Sequence, residues 1–447
     1  MRKMEHRIRN LSLICFLFVG MTQLSLASGK EGISLEAALQ MALANPYNLG
    51  STSEAVAEAR ARLAQAGASR WPSVVLNGKY TRVGPYTSID PRTGMPYKVG
   101  VSDSYATGFS LQWPLYMGGK LNSAVKLARS GLDTAEEDYQ AEYENLVYQV
   151  FQAYIGFLKA DGMLALSQEQ IKLLTEHQRL VETNLSLGYA AKTDLLETKI
   201  RLTQAELGAV KARHGKKLAE ENLCNLLGIS TQELVLTSKP TIAPSHILPT
   251  MEEALRLAEE GRAELKKLKT AVHIGEENRK MSGGYWKPNL VMIGTYGTQN
   301  QKSFTLDEAI WSFTLNLDWK LFDAGAGRAG LKEAEANLSK LNYLLAQSKD
   351  LIRLEVRQRY LTVTETAQVL ELTKLNRKLA QENYEFLKAK FELGAATNLE
   401  LLSAHNTLNM ALNDYLNAEY DYYLAISALY KAMGEIDQFM LEVSEDA

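Results

Sequence analysis

The sequence predicts a mainly helical protein with a membrane β-barrel portion, built from a tandem structural repeat. Three observations predict this fold class: an ungapped internal repeat at a displacement of 206 residues, long proline-free stretches with helical periodicity, and alternating strands behind an export signal. The repeat pairs Leu111 with Leu317 and Gly228 with Gly434, and many identities between these points share the register. So long a register indicates duplication of a strand pair followed by a helical hairpin.

Residues 1–27 have the pattern of a secretory signal peptide. A basic start precedes an apolar run from Leu11 to Val19, and small residues at Ser25 and Ala27 suit cleavage after Ala27. The alternative, a membrane anchor, needs a longer run than this one, which Gly20 interrupts. We therefore expect the remaining chain to be exported, and it contains no later apolar stretch long enough for a spanning helix.

Charge and reactive side chains exclude several classes of function. Without residues 1–27 the chain carries 45 basic and 51 acidic residues, which argues against nucleic acid as a partner. Cys224 is then the only thiol, so no intrachain disulfide is expected. No nucleophile, acid–base pair or metal-ligand spacing is recognisable, so we expect no enzyme, cofactor or metal site. Most of the scattered histidines are expected at solvated helix positions: His177, His214, His246, His273 and His405.

Two strand-like segments follow short helices in each repeat, and the second of each pair alternates apolar and polar residues cleanly. The predicted strands are about 73–83, 103–116, 289–298 and 309–322. Residues 84–104 are rich in proline and glycine and predict a long loop. The strand lengths suit a tilted crossing of a bilayer, and strands of a soluble sandwich are the alternative. The side chains predicted to face the membrane are Phe109, Leu111, Trp113, Trp311, Phe313, Leu315, Leu317 and Trp319.

A long helical hairpin follows each strand pair. The predicted hairpins are 120–228 and 325–434, both without proline and with apolar residues at helical spacing. The first hairpin completes a repeat that begins at residue 28, and the second completes a repeat that begins at residue 250. A proline-containing linker, 229–249, joins the two repeats, and a short acidic tail, 435–447, follows the second. At ~1.5 Å per residue each outgoing helix would be about 100 Å long and could bury its apolar stripe only against parallel neighbours.

The strands of one chain also need pairing partners from other chains. Four strands cannot close a barrel, since small closed barrels need about eight, and an open sheet edge is not tolerated in lipid. We therefore expect several copies of the chain to share one barrel, which the long helices continue as a tube.

A glycine-rich segment, Gly325–Gly330, has the spacing of a dinucleotide-binding loop. The preceding strand alternates, however, whereas strands of parallel nucleotide-binding sheets are continuously apolar. The helix that follows is far too long for a βαβ unit. Small residues at a strand-to-helix passage are the better interpretation.

Each hairpin turns at a Leu-Gly motif, and an acid follows each turn. The turn residues are Leu187, Gly188, Tyr189 and Ala190 in the first hairpin, and Leu393, Gly394, Ala395 and Ala396 in the second. Glu400 lies three residues after Thr397, which is the spacing of a capping box. Glu400 and Asp194 therefore have two open interpretations, as helix caps or as acids that line a pore, and these are compatible.

The main motifs of the chain are the duplication, the Trp-Pro break at Trp71, the passages Trp113–Gly119 and Trp319–Gly325, and the two Leu-Gly turns. Their order along the chain resembles that of the TolC family of outer-membrane efflux and secretion channels. The resemblance covers about residues 33–435. It implies a homotrimer with a 12-stranded β-barrel in outer-membrane lipid and a 12-helix α-barrel in the periplasm. It also implies that periplasmic adaptor proteins dock on the Leu-Gly turns and that an inner-membrane transporter supplies the energy.

The resemblance further implies a gate at the periplasmic end. Asp194 and Glu400 fall where the family carries acids, while Ser403 and Phe391 stand where it often has an aspartate and a tyrosine. The expected function is a passive gated exit duct for small molecules in the outer membrane of a Gram-negative-type cell. The alternatives are the outer-membrane component of a type I protein secretion system and, from another class, a periplasmic coiled-coil scaffold without a pore.

Overall fold

A computed structural model describes residues 32–230, 236, 248–300 and 303–445 of the chain. The predicted signal peptide, most of the predicted linker and His246 lie outside the described residues. The prediction of a mainly helical chain is confirmed.

The chain alternates short helices, strands and long hairpins. The helices are α1 (Leu35–Ala44), α2 (Pro46–Ala68), α3 (Lys120–Ser186), α4 (Lys192–Leu227), α5 (Met251–Gly261), α6 (Ala263–Gly283), α7 (Ala326–Glu392), α8 (Asn398–Met433) and α9 (Ile436–Glu445). The strands are β1 (Ser73–Val83), β2 (Tyr86–Ile89), β3 (Pro96–Val99), β4 (Ser102–Met117), β5 (Asn289–Asn300) and β6 (Ile310–Asp318). Helices α3 and α7 have 67 residues each and α4 and α8 have 36 each, with both pairs displaced by 206 positions. Each 67-residue helix is about 100 Å long.

Every long helix ends at a glycine with a positive φ, a backbone conformation that costs glycine little. After α3 the Gly188 N–H bonds to the Leu185 carbonyl oxygen at 3.1 Å, and the Tyr189 N–H bonds to Asn184 at 2.8 Å. This pair of bonds is a Schellman motif, which satisfies carbonyl groups that a helix end leaves free. The glycines are Gly188, Gly228, Gly394 and Gly434, with φ between +70° and +79°.

The main sheet has four antiparallel strands in the order β1-β4-β5-β6, so β1 and β6 are its edges and the sheet is open within one chain. Pairing ends where Ser73 meets Gln112 and where Asn289 meets Asp318. A proline precedes each of Ser73 and Asn289 and has no N–H to extend the ladder. Trp319 therefore lies just beyond β6, and the prediction that it is a strand residue is wrong.

The predicted long loop over residues 84–104 contains a second, two-stranded sheet of β2 and β3. A tight turn closes it: the Gly94 N–H bonds to the Asp90 carbonyl oxygen at 2.8 Å, and the Asp90 carboxylate accepts from the Arg92 N–H at 2.9 Å. The proline and glycine content that predicted a loop belongs to this turn and to the ends of short strands, so the prediction of a long loop was wrong.

Residues after Gly434 were predicted as an acidic tail, but they form helix α9. Ile436, Phe439 and Val443 are buried on one face of it, and the Phe439 ring lies 5.0 Å from that of Phe151 on α3. The spacing of the three apolar residues is helical, and this signal was available in the sequence. The acids that suggested a solvated tail lie among these apolar residues in the sequence.

The two hairpins pack side by side through α3 and α8, which places α4 and α7 on the outer sides. The largest core cluster forms where α1, α5 and α9 pack on the long helices. The outer faces of α4 and α7 carry exposed apolar side chains at helical spacing. On α4 they are Leu196, Ile200, Leu207, Val210 and Leu218, and on α7 they are Leu354, Leu361, Leu372, Leu375, Leu379 and Phe386.

Candidate functional site

Both Leu-Gly turns project apolar side chains into solvent. Leu187 is 62% exposed, Tyr189 84% and Leu393 84%, although such residues are usually at least partly buried. The Schellman bonds described above fix the backbone of the first turn, and in the second turn the Gly394 and Ala395 N–H groups donate in the same way to the carbonyl oxygens of Phe391 at 3.0 Å and Lys390 at 2.8 Å. The exposed side chains therefore stand on a rigid support. Of the other turn residues, Gly188, Gly394 and Ala395 are exposed, and Ala190 and Ala396 are half-buried.

Glu400 completes a capping box at the start of α8. Its carboxylate accepts the Thr397 N–H at 2.7 Å and the Thr397 hydroxyl at 2.8 Å, and its own N–H donates to that hydroxyl oxygen at 3.2 Å. These bonds to the Thr397 backbone and side chain lower the pKa of Glu400, because they stabilise the ionised form. The capping role of Glu400 is thus present in the structure.

Asp194 holds the equivalent place at the start of α4. Its carboxylate accepts the Ala191 N–H at 2.9 Å, which is half of a capping box, since Ala191 has no hydroxyl to return the bond. The Asp194 carbonyl oxygen accepts from the Thr198 hydroxyl at 2.8 Å and from the Asn398 side-chain amide at 3.3 Å. Asp194 therefore caps one hairpin and contacts the other.

A polar joint links the hairpins just inside the turns. His177 on α3 and Asn398 at the first position of α8 lie 2.7 Å apart, from Nε2 to Oδ1. Because the Asn398 amide nitrogen already donates to Asp194, its oxygen accepts, and His177 carries its proton on Nε2. The ring of Phe391, a predicted gate residue, is tilted against the His177 ring, with 5.4 Å between the ring centroids.

Most of the histidines were expected at solvated helix positions, but His405 and His177 are not among the solvated ones. His405 on α8 is only 5% exposed, and its ring meets that of Tyr384 on α7 at 5.8 Å. Burial, with a smaller contribution from a charge on His177, lowers the pKa of His405 to about 4. Burial also lowers the pKa of His177, against the opposing effect of the Asn398 hydrogen bond. Both rings are therefore neutral at pH 7.

The structure brings only part of the predicted gate together. The Asp194 backbone and Phe391 join His177 and Asn398, whereas the carboxylate of Glu400 is engaged at Thr397. Ser403 is exposed, and its carbonyl oxygen accepts from the Thr407 hydroxyl at 3.0 Å. His177, Asn398 and His405 were missed as a group, because no local spacing connects α3 with α8.

The described ranges, residues 32–230, 236, 248–300 and 303–445, also bear on other kinds of site. Over those residues, no helix is both long and apolar enough to cross a bilayer. Over the same residues, no cluster of three or more histidine, cysteine or acidic side chains is arranged to hold a metal ion.

Known proteins resemble the chain over most of its length. At 25% identity it matches the alkaline protease secretion protein AprF of Pseudomonas aeruginosa, covering 76% of this chain and 72% of that protein. It is 22% identical to the outer membrane protein TolC of Vibrio cholerae, covering 75% and 78%. The crystal structure of the Campylobacter jejuni CmeC outer membrane channel has the same fold, with a TM-score of 0.77, 17% identity and 94% coverage of both chains.

A family model described as "Outer membrane efflux protein" matches residues 38–229 and 254–435, which together make up most of the chain. The two matched segments each contain a strand pair and a long hairpin. The chain belongs to the outer membrane efflux protein family.

Proposed function

We propose that this protein is the outer-membrane channel of a tripartite efflux pump, a passive gated exit duct for small molecules. Membership of the family supports it, and the observation that carries it is an open four-stranded sheet joined to two hairpins about 100 Å long. A sheet that passes a bilayer needs closed edges, and helices of this length suit a duct that continues beyond the membrane. The channel performs no chemistry.

The assembly is a homotrimer, built from three tandem-repeat chains. Four strands from each of three copies make a 12-stranded barrel, in which β6 of one copy pairs with β1 of the next. Four long helices from each copy make a 12-helix α-barrel. Antiparallel membrane barrels close with even numbers of strands in the range that includes twelve. With three copies, the backbone N–H and C=O groups of every edge strand are therefore paired with a neighbouring copy.

The apolar seams support the same assembly. We call the exposed apolar faces of α4 and α7, whose residues are given above, the apolar seams. Within one chain the order of long helices is α4-α3-α8-α7, so the seam on α7 of one copy meets the seam on α4 of the next. On α7, Leu354, Leu361 and Leu372 repeat at spacings of seven and eleven residues, which is the periodicity of helices that pack along their length. A heterologous contact of this kind closes into a ring.

The lipid-facing band of the barrel consists of apolar side chains on β4 and β6. Phe109, Trp311 and Phe313 are exposed in one chain, although each is large and apolar. Outer-membrane lipid covers them in the assembly, and the full set adds Leu111, Trp113, Leu315 and Leu317, with Trp319 just beyond β6. The helical tube extends into the periplasm.

The Leu-Gly turns are the docking points for a periplasmic adaptor, which couples the duct to an inner-membrane transporter. Exposed apolar side chains on a rigid backbone, as at Tyr189 and Leu393, suit a protein partner. Gly188 and Gly394 allow the tight reversal that presents them. Beside the turns, Asp194, Glu400, Ser403 and Phe391 form the candidate gate, and three copies of the two acids around a narrow mouth favour cations.

A second candidate cargo is protein. The relative AprF is named an alkaline protease secretion protein, which favours a role as the outer-membrane component of type I secretion. A periplasmic scaffold without a pore is the rival from another class. Extraction without detergent separates it from both channel functions, since a scaffold stays soluble.

Single-channel conductance in planar bilayers tests the proposal. We expect purified trimers to conduct, and the double variant Asp194→Asn with Glu400→Gln to conduct cations less selectively. Asparagine and glutamine keep oxygens that accept the capping bonds seen here, so this variant removes charge while keeping the helix starts. Trimers that never conduct, with or without these substitutions, would contradict the channel function.

A further inference from the structure

The side-chain hydrogen bonds described between the two hairpins near the turns converge on one residue. Asn398 is 7% exposed, and its amide donates to the Asp194 carbonyl oxygen on α4 while its oxygen accepts from His177 on α3. One side chain at the start of α8 thus bonds to both helices of the other hairpin. Movement of the second hairpin relative to the first must break these bonds.

The joint is packed by neutral aromatic groups. The Phe391 ring contacts the His177 ring, and the ring of His405, which interacts electrostatically with His177, contacts that of Tyr384. Neither histidine has an ion-pair partner within the described part of the chain. A proton added to either ring therefore places an unpaired charge in a poorly solvated site.

The charged and titratable groups of the surrounding helices do not offset such a charge through an ion pair. Burial, then the charges of Glu176 and Glu392, raises the pKa of Tyr384, so its ring stays neutral. Glu400 is held by Thr397, and its lowered pKa keeps it ionised at pH 5. The groups near the joint are Glu176 and Glu182 on α3, Asp194 and Lys199 on α4, Tyr384, Lys390 and Glu392 on α7, and Glu400 on α8.

We propose that the bonds of Asn398 to His177 and Asp194 are a catch that holds the two hairpins together at the turn end, and that protonation of the buried His405 releases it. The inference rests on the proposed channel function and adds a control of the gate by pH. Asn398 and His177 are positioning residues, and His405 makes the catch sensitive to acid.

The direction of the effect follows from proton linkage. His405 titrates at about 4 in the closed joint and at its ordinary value of 6.5 when the hairpins part and water reaches it. The closed joint binds fewer protons, so its stability is fully present above pH 6.5 and is lost as pH falls toward 4. At pH 5 this difference shifts each protomer toward the open form by up to about 30-fold relative to pH 7.5. His177 adds to the shift in the same direction.

Conductance of the purified trimer at pH 7.5 and pH 5 tests the catch. We expect open probability of the wild type to rise steeply at pH 5. His405→Gln and His405→Phe remove the titrating group, the second with an aromatic ring retained against Tyr384, and both should lose most of this rise. His177→Gln keeps a donor for Asn398 and should stay closed at pH 7.5, whereas Asn398→Ala should be open at both pH values.

The matched control is His214→Gln, since His214 is an exposed histidine on α4 away from the joint. It should keep the full acid response. An equal open probability of the wild type at both pH values, or an unchanged acid response in both His405 variants, would overturn the proposal. Loss of the response in His214→Gln would overturn it too.

A second measurement separates failure of the catch from failure of the channel function. Hydrogen-exchange protection of the peptides that carry residues 177 and 398 reports on the joint whether or not the protein conducts. Protection should fall at pH 5 in the wild type and stay high in His405→Gln. Unchanged protection in the wild type would refute the catch, and a loss of protection without conductance at any pH would support the catch and refute the channel.

Discussion

The indole N–H of Trp319 donates a 2.9 Å hydrogen bond to the carbonyl oxygen of Trp286. In the first half of the chain the indole of Trp113 makes a 3.1 Å bond to the carbonyl oxygen of Arg70. Both acceptors lie two residues before the proline at which strand pairing ends. Each indole thus links one strand, near its end, to the residues that precede the neighbouring strand, at the junction between the sheet and the helices.

We predict that Trp319→Phe weakens this junction, because it removes the N–H and leaves the Trp286 carbonyl without this partner. The expected loss is about 1 kcal/mol in the free energy of unfolding of the protein, measured by urea titration in detergent. The control is Trp311→Phe, since Trp311 is 74% exposed and its indole has no hydrogen bond within the described chain. Equal losses of unfolding free energy in the two variants would show that the Trp319 hydrogen bond does not stabilise the protein.

The start of α8 should depend on Thr397. Thr397→Ala removes the hydroxyl that accepts the Glu400 N–H and donates to the Glu400 carboxylate, and we expect it to cost about 1 kcal/mol of helix stability. Hydrogen exchange at the first turn of α8 measures this loss. Thr193→Ala in the first turn of α4 is the control, since the Thr193 hydroxyl caps no N–H there.

The reverse change should strengthen the other hairpin. Ala191→Thr supplies the hydroxyl missing from the half-formed box at Asp194 and should stabilise the start of α4 by about 0.5–1 kcal/mol. The readout is again exchange protection, now at the first turn of α4. Faster exchange in this variant would mean that the two turns differ in backbone geometry more than their bonds indicate.

The apolar seam on α7 should be required for assembly. Leu361→Asp and Leu372→Asp place a charge where the seam of the neighbouring copy would lie, and an unpaired buried charge is costly. We expect loss of trimers, measured by light scattering in detergent, with helical content unchanged because both side chains are exposed in one chain. Lys378→Asp, at an exposed position off the seam, should leave the proposed trimer intact.

Helix α9 should stabilise each protomer. Phe439 is fully buried against Phe151 and Tyr430, and Phe439→Ala should cost about 3–5 kcal/mol. Thermal unfolding of the folded protein measures the effect. Leu441→Ala, at a 64% exposed position on the same helix, should change stability by less than about 0.5 kcal/mol. Comparable melting of both variants would show that α9 contributes little to the core.

Much of the fold could be predicted because its signals are local. The proline after Trp71, the glycine after Leu187 and the Thr397–Glu400 spacing each act within one turn of chain, and the structure contains the corresponding strand entry, helix end and capping box. The errors arose where composition was weighed without periodicity, as in the segment that forms β2 and β3 and in the residues of α9.

The sequence by itself determined the lengths of the hairpins, the positions of their turns and the points where β1 and β5 begin, since backbone geometry and side-chain spacing over a few residues decide these. Only the tertiary structure decided that His177 meets Asn398, 221 positions away, and that His405 is buried beside them. Such contacts depend on which faces of α3 and α8 meet, and helical periodicity shows that a face is apolar without showing what covers it.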